Sequence, residues 1–392
     1  GGTQICRNRL PSSDNTTLLP AQSNNCNAAQ TTGADGFADL RSAAYAPLGG
    51  QFRTQEFDRT RDGQALAFQF ESIDRNTVLT AQFLRSHTTN KWGERTFETG
   101  SDLSEYGTQP IGCLQNNRGP AELRTDGTFG DGTTRAECPI GASFQNYTYD
   151  ENNLFQKGYI TNPSDGWRGN PNTFVPIGGL QQVAVRREVD EESTNTDYAL
   201  NLQTKLTDRL SLSLDGDYTK SVKKNLDVSI MGSTWADQEL DLTGDLPVVI
   251  PHKPNYLGYS WAGPNPTLGA MSDAQYFADK RVQFWRSAMD HIENSTGSEF
   301  QFRGDLAYDF DETSFLRQLK FGARYADRDQ TVRYTTYNWG VLSEVWAGNS
   351  PVSVSQVGSG NADFYAFPDF FRGQSPGPAG AYYYNGDLIG DY

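Results

Sequence analysis

No apolar run in this sequence approaches the roughly 20 residues that a membrane-spanning helix needs. The strongest stretch, Leu246–Ile250, contains Pro247 and is ended by Pro251. A helical membrane protein is excluded. Basic charge is also short, with 33 Lys and Arg against 48 Asp and Glu, for a net charge of −15. Without a basic run to neutralise phosphates, no nucleic-acid partner is expected. Histidine is scarce. His87, His252 and His291 share no ligand spacing with one another or with the cysteines, so they read as loop histidines, and neither a metal site nor a cofactor is expected. The four cysteines suit an oxidising compartment. Local pairing, Cys6 with Cys26 and Cys113 with Cys138, is preferred because shorter loops lose less entropy on closure.

What the chain does have is long alternation. In Ser298–Asp327, Phe300, Phe302, Gly304, Leu306, Tyr308 and Phe310 fall on one face, and Gln301, Arg303, Asp305, Ala307 and Asp309 on the other. Period-2 alternation means strand. Ten steps of about 3.3 Å at a tilt of about 40° rise roughly 25 Å, the height of the apolar band on an outer-membrane barrel. The Arg and Asp face is then a wet lumen. A mean hydropathy of −0.64 is compatible with this, because half of each barrel strand is polar.

Two more hairpins repeat the plan. In the first, Leu66, Phe68 and Phe70 share a face, Ile73–Asn76 forms the turn, and Leu79, Ala81 and Phe83 alternate after it. The second, Tyr198–Tyr218, folds about Thr207-Asp208-Arg209, pairing Leu202 with Leu214 and Tyr198 with Tyr218. Lys205, Asp215 and Asp217 take its polar face. Six long strands in three hairpins are therefore predicted, an all-β, antiparallel transmembrane β-barrel fragment with long extracellular loops. The hairpins occupy 51–97, 181–232 and 296–345, the last running on through Thr331–Tyr334. The loops occupy 1–50, 98–180, 233–295 and 346–392, with a short helix predicted near Ala274–Ile292. Residues 87–197 otherwise read as a Gly-, Asn-, Pro- and Thr-rich connection. The turns at Asp74, Asp208 and Asp311 are expected at one end, and Cys113, Trp167 and Trp261 at the other. A soluble sandwich would use strands of about 5–6 residues.

No enzyme is expected. Gly358-Ser359-Gly360 lacks the strand-to-helix context of a phosphate loop. Glu188–Glu192 lacks an ordered calcium-ligand spacing and reads as a solvated loop. Asp215, Asp217, Asp305 and Asp309 offer carboxylates for a glycosidase pair, but alternation explains them as lumen wall. The seven tryptophans lie outside the alternating apolar segments, and Trp and Tyr on external loops suit stacking against sugar rings. Trp285 and Trp339 are the leading ligand-binding candidates, with Tyr337, Asn338, Arg333 and Trp235 beside them.

The run RGDLAYDFDETSFLRQLKFGARYADRDQTVRYTTYNWG resembles the middle barrel of TonB-dependent receptors, particularly the proteobacterial group linked to carbohydrate uptake. DLTGDLPVVI, Asp241–Ile250, resembles a stretch preceding those strands in the same group. The resemblance covers roughly residues 51–345. It implies an outer-membrane active-transport receptor in a Gram-negative bacterium, with a twenty-two-strand barrel, a plug, and coupling to the TonB–ExbB–ExbD complex. Its ligand would be a scarce small-molecule nutrient, an oligosaccharide first and a ferric siderophore second, and its surroundings outer-membrane lipid. A passive porin is the alternative. The chain opens at Gly1 and shows no TonB box, no plug, and no alternating C-terminal strand before Tyr392, so an internal piece of the receptor is expected.

Overall fold

The computed structural model describes residues 2–5, 44–47, 50–99, 111–112, 148–151, 154–161, 180–254, 270–343 and 352–392. Six long strands dominate them: β1 (Gln51–Glu71), β2 (Thr77–Thr99), β3 (Leu180–Lys205), β4 (Leu210–Asp241), β5 (Phe284–Asp309) and β6 (Gln318–Thr331). They pair antiparallel in chain order, and the sheet is open, with β1 and β6 at its edges. The protein is all-β, and its long strands form three hairpins.

Alternation and register together sort the sheet into two faces. Leu202 sits opposite Leu214, and Tyr198 opposite Tyr218, as the hairpin pattern predicts. Across strands, Leu79–Leu202–Leu214–Gly304–Ala323 form one rung, and Phe83–Tyr198–Tyr218–Phe300 another. Many large side chains on this face near the turns are exposed, Leu66 at 71% and Phe321 at 75% among them, while Leu79, Phe83, Leu202 and Leu214 are half-buried between their neighbours. The opposite face is held by lateral polar pairs. Asn201 donates to Asp215, Gln301 to Asp217, and Arg328 to Glu299 at 3.0 Å. Because the pleat has a period of two, one sheet carries an apolar and a polar side without mixing.

The three turns lie together. Lys205 N–H donates to the Asn76 carbonyl at 2.8 Å, Asp309 N–H to the Arg209 carbonyl at 2.8 Å, and Arg209 ion-pairs with Asp311. Asp74, Asp208 and Asp311 therefore share one end of the sheet. Cys6, Cys26, Cys113, Cys138, Trp167 and Trp261 lie outside the described residues.

Several boundaries differ from the sequence reading. β2 reaches Thr99 and β3 begins at Leu180, so much of 87–197 is strand. β4 continues to Asp241, and β5 starts at Phe284, inside the predicted helix. That helix is real only at Asp273–Phe277, where Ser272 and Gln275 form a capping box; a short 3-10 turn, Lys280–Val282, follows. His87 and His291 lie in β2 and β5, and His252 in a short strand, Val248–His252, that pairs with the end of β4. Glu188–Glu192, read as a solvated loop, is part of β3. Beyond the apolar band these strands are polar on both faces, which leaves no alternation to read. β6 ends at Thr331. Past it, Tyr334 bridges to Glu293 and Asn338–Val341 pairs with β5, so the chain keeps following β5.

Residues 352–392 are not a featureless loop. Ala362–Tyr365 pairs with Ala381–Tyr384, and Phe367 and Tyr383 pack with Phe52 and Phe97 far from the turns. The Asp273–Phe277 helix joins the same core through Tyr276 and Phe277. Tyr276 donates to the Trp235 carbonyl at 2.7 Å, and burial raises its phenol well above the usual range.

His252 clamps the helix to β4. Its Nε2 lies 2.8 Å from Glu239 and its Nδ1 2.7 Å from Asp273. Burial works against its charged form, but hydrogen bonds and attraction from Asp273 and Glu239 outweigh that and raise its pKa to about 9. A raised folded-state pKa gives stability that is complete below the unfolded value of 6.5 and lost as pH rises through about 9. That interval corresponds to roughly 3 kcal/mol. The unfolding midpoint is expected to decline as pH rises from about neutral through the folded pKa of about 9, and His252→Gln to flatten the decline. A wild-type midpoint that is constant over this range would show that the clamp contributes nothing.

Candidate functional site

On the polar face, a cluster assembles about nine residues beyond the Phe83–Tyr198–Tyr218–Phe300 rung, roughly 30 Å along the strands. The register sets it. Glu94 of β2 lies opposite Gln55 of β1 and Arg187 of β3, while Asp227 of β4 lies opposite Val189 of β3 and His291 of β5. No two of its charges are near in sequence, and only the pairing of five strands brings them together.

Its centre is an ion pair. Arg187 grips Asp227 with both ends of its fork, Nε to Oδ1 at 2.8 Å and Nη2 to Oδ2 at 2.5 Å. Glu94 stands 3.7 Å from the same guanidinium, receives Gln55 Nε2 at 2.9 Å, and meets Arg53 at 3.4 Å. The Glu94 and Asp227 carboxylates are almost fully buried. Carboxylates at such depth need these donors, since an unpaired buried charge is strongly unfavourable.

Aromatic rings flank the pair on both sides. Arg187 lies 4.9 Å over the Trp92 indole, and Phe57 stands 6.1 Å from the same ring. On the other side Tyr337 stacks on His291 at 4.5 Å and 20°. His291 Nδ1 donates to the Thr335 carbonyl at 2.7 Å, which fixes the ring beneath Tyr337. Tyr334, Tyr337 and Trp339 each expose more than half their surface along this edge. Towards the turns the polar face continues as a trough of about 580 Å³ walled by Ser193, Asn195, Thr219, Ser221 and Ser295, with Arg328 at its side. Such a surface offers rings for stacking, then hydroxyls and amides for hydrogen bonding.

Of the residues singled out from sequence, Tyr337, Asn338 and Trp339 lie together beside β5. Arg333 is exposed nearby, its carbonyl accepting from Asn294 N–H at 2.7 Å. Trp285 and Trp235 are corrected. Trp285 is buried with Val354 and Ala362, donating to the Val357 carbonyl at 2.7 Å. Trp235 is 2% exposed and stacks on Phe284 at 5.4 Å. Burial leaves neither ring a face for a ligand. Sequence reasoning missed Glu94, Arg187, Asp227 and His291, and gave Trp92 no special weight; as isolated polar residues on different strands they carry no local signal.

No family model, curated protein or solved structure matches this chain.

Proposed function

We propose that this chain is part of the wall of an outer-membrane transport receptor that binds an oligosaccharide and imports it under TonB-coupled energy. One observation carries the membrane reading: a continuous, largely exposed apolar face crosses all six strands, backed by a polar face bridged by lateral hydrogen bonds. A water-soluble sheet would cover such a face, whereas a barrel wall turns it to lipid. The open edges of β1 and β6 fit the same reading, because backbone groups at membrane depth must be paired by further strands. The Tyr337–His291 stack, the exposed Trp339 and the hydroxyl-lined trough support a sugar ligand. Coupling to TonB, ExbB and ExbD rests on the resemblance of the strands to that receptor family.

The test is fractionation and ligand binding with the full-length protein. It is expected in the outer-membrane fraction, retaining oligosaccharides and importing them only while the proton-motive force is intact. Tyr337→Ala is expected to weaken retention by about three- to tenfold, the scale of one lost aromatic contact. Uptake that survives collapse of the proton-motive force would indicate a passive porin. Retention of ferric siderophores but not of oligosaccharides would overturn the substrate.

A further inference from the structure

We propose that Arg85, Thr196 and Lys220 form a binding site for the phosphate of a lipid headgroup on the outside of the sheet. This rests on the membrane reading given above. The three residues make up the rung immediately beyond the aromatic one, on β2, β3 and β4, with Arg85 opposite Thr196 and Thr196 opposite Lys220. Adjacent strands are about 4.8 Å apart, so a guanidinium and an ammonium flank one hydroxyl across roughly 10 Å. That span suits two long side chains closing on one tetrahedral anion above Thr196.

Charge distinguishes this rung from those beyond it. Lys91 is paired with Asp190 at 3.2 Å, Lys224 with Glu192 at 3.9 Å, and on the opposite face Lys223 with Glu293 at 3.1 Å. Among the described residues Arg85 and Lys220 have no carboxylate partner. Two cations without an ion-pair partner among the described residues thus stand on either side of Thr196, on a chain of net charge −15. An anion supplied from outside the chain complements them.

The surface beneath identifies a lipid rather than a free ion. Phe83, Tyr198 and Tyr218 underlie the cations, their ring centroids 5.2 and 6.4 Å apart, as aromatics do where headgroups meet acyl chains. One rung lower stands Gly216, between Leu200 and Phe302 and in line with Tyr218 and Lys220. A Cβ built on Gly216 meets nothing within 4 Å. The wall therefore has a notch below Tyr218, two rungs from Lys220, flanked by apolar side chains and open to an acyl chain.

The experiment uses the full-length protein, extracted from membranes, delipidated in detergent and offered three probes: bis-phosphorylated lipid A, the same lipid stripped of its phosphates, and inorganic phosphate. Native mass spectrometry reads retention. The phosphorylated lipid is expected to be held on the order of tenfold more tightly than the stripped one, since each interfacial cation attracts anionic headgroups independently. Arg85→Gln with Lys220→Gln is expected to abolish that preference, Gly216→Leu to weaken both lipids alike, and Lys205→Gln, on the polar face, to change nothing. Equal retention of the two lipids, a preference surviving in the double variant, or competition by inorganic phosphate at concentrations matching the lipid would overturn the site. Recovery of the full-length protein in the soluble fraction would instead overturn the membrane reading, and the site with it.

Discussion

Leu202→Arg is expected to impair outer-membrane assembly of the full-length protein severely, while Gln203→Arg, one residue along the same strand, assembles at nearly wild-type yield. Leu202 lies between Leu79 and Leu214 on the apolar rung. Neither neighbour offers an acceptor, and an Arg at the midplane of a barrel wall costs about 2–4 kcal/mol. Total folding stabilities are only about 5–15 kcal/mol, so that cost is a large share. Gln203 points the other way, opposite Ser213 and near Lys205, Arg303 and Asp305, where a guanidinium meets polar neighbours and water. The strand has no third option. A one-residue slip would turn Lys205, Asp215 and Asp217 together into hydrocarbon, so β3 does not escape by changing register. The folded fraction of each variant in outer-membrane preparations, read by heat-modifiable migration, checks this. Equal folded fractions would show that this hairpin does not face lipid.

The same contrast explains what could be read from the sequence. Near the turns one face must be apolar and the other polar, so alternation is compulsory there; Leu202 opposite Leu214 and Tyr198 opposite Tyr218 were predictable from it. Farther out both faces are polar, and Arg186-Arg187-Glu188-Val189-Asp190 resembles a loop although it is continuous strand. Its pairing is stabilised by neighbours such as Lys91 for Asp190, which no local pattern reveals. The candidate site suffered most from this. Tyr337 could be singled out because it is an aromatic beside a strand end, whereas Arg187 and Asp227 become a pair only through register. Trp235 and Trp285 misled for the opposite reason: an indole in a polar stretch looks like a ligand platform, but here each fills a core.

Arg187→Leu is expected to destabilise the polar-face cluster more than Asp227→Ala does, although both remove the same ion pair. The asymmetry follows from what each variant leaves behind. After Asp227→Ala, the guanidinium keeps Glu94 at 3.7 Å, and at 27% exposure it keeps water as well. After Arg187→Leu, the Asp227 carboxylate is left 3% exposed, and among the described residues it has lost its ion-pair partner. Removing one member of a buried pair costs about 3–5 kcal/mol when the other is stranded, and less when a second partner remains. Arg187→Leu thus falls in that range and Asp227→Ala below it. Replacing both, Arg187→Leu with Asp227→Leu, removes the stranded charge and is expected to recover much of the loss, since well-packed apolar pairs are often as stable as buried ion pairs. Denaturant midpoints of the full-length protein in detergent complete the double-mutant cycle. Additive losses, with the double variant the least stable of the three, would mean that Arg187 and Asp227 act separately. A non-additive cycle would locate the rigidity of the site in this one contact, which sits between the Trp92 and Tyr337 rings and holds β3 and β4 in register beneath them.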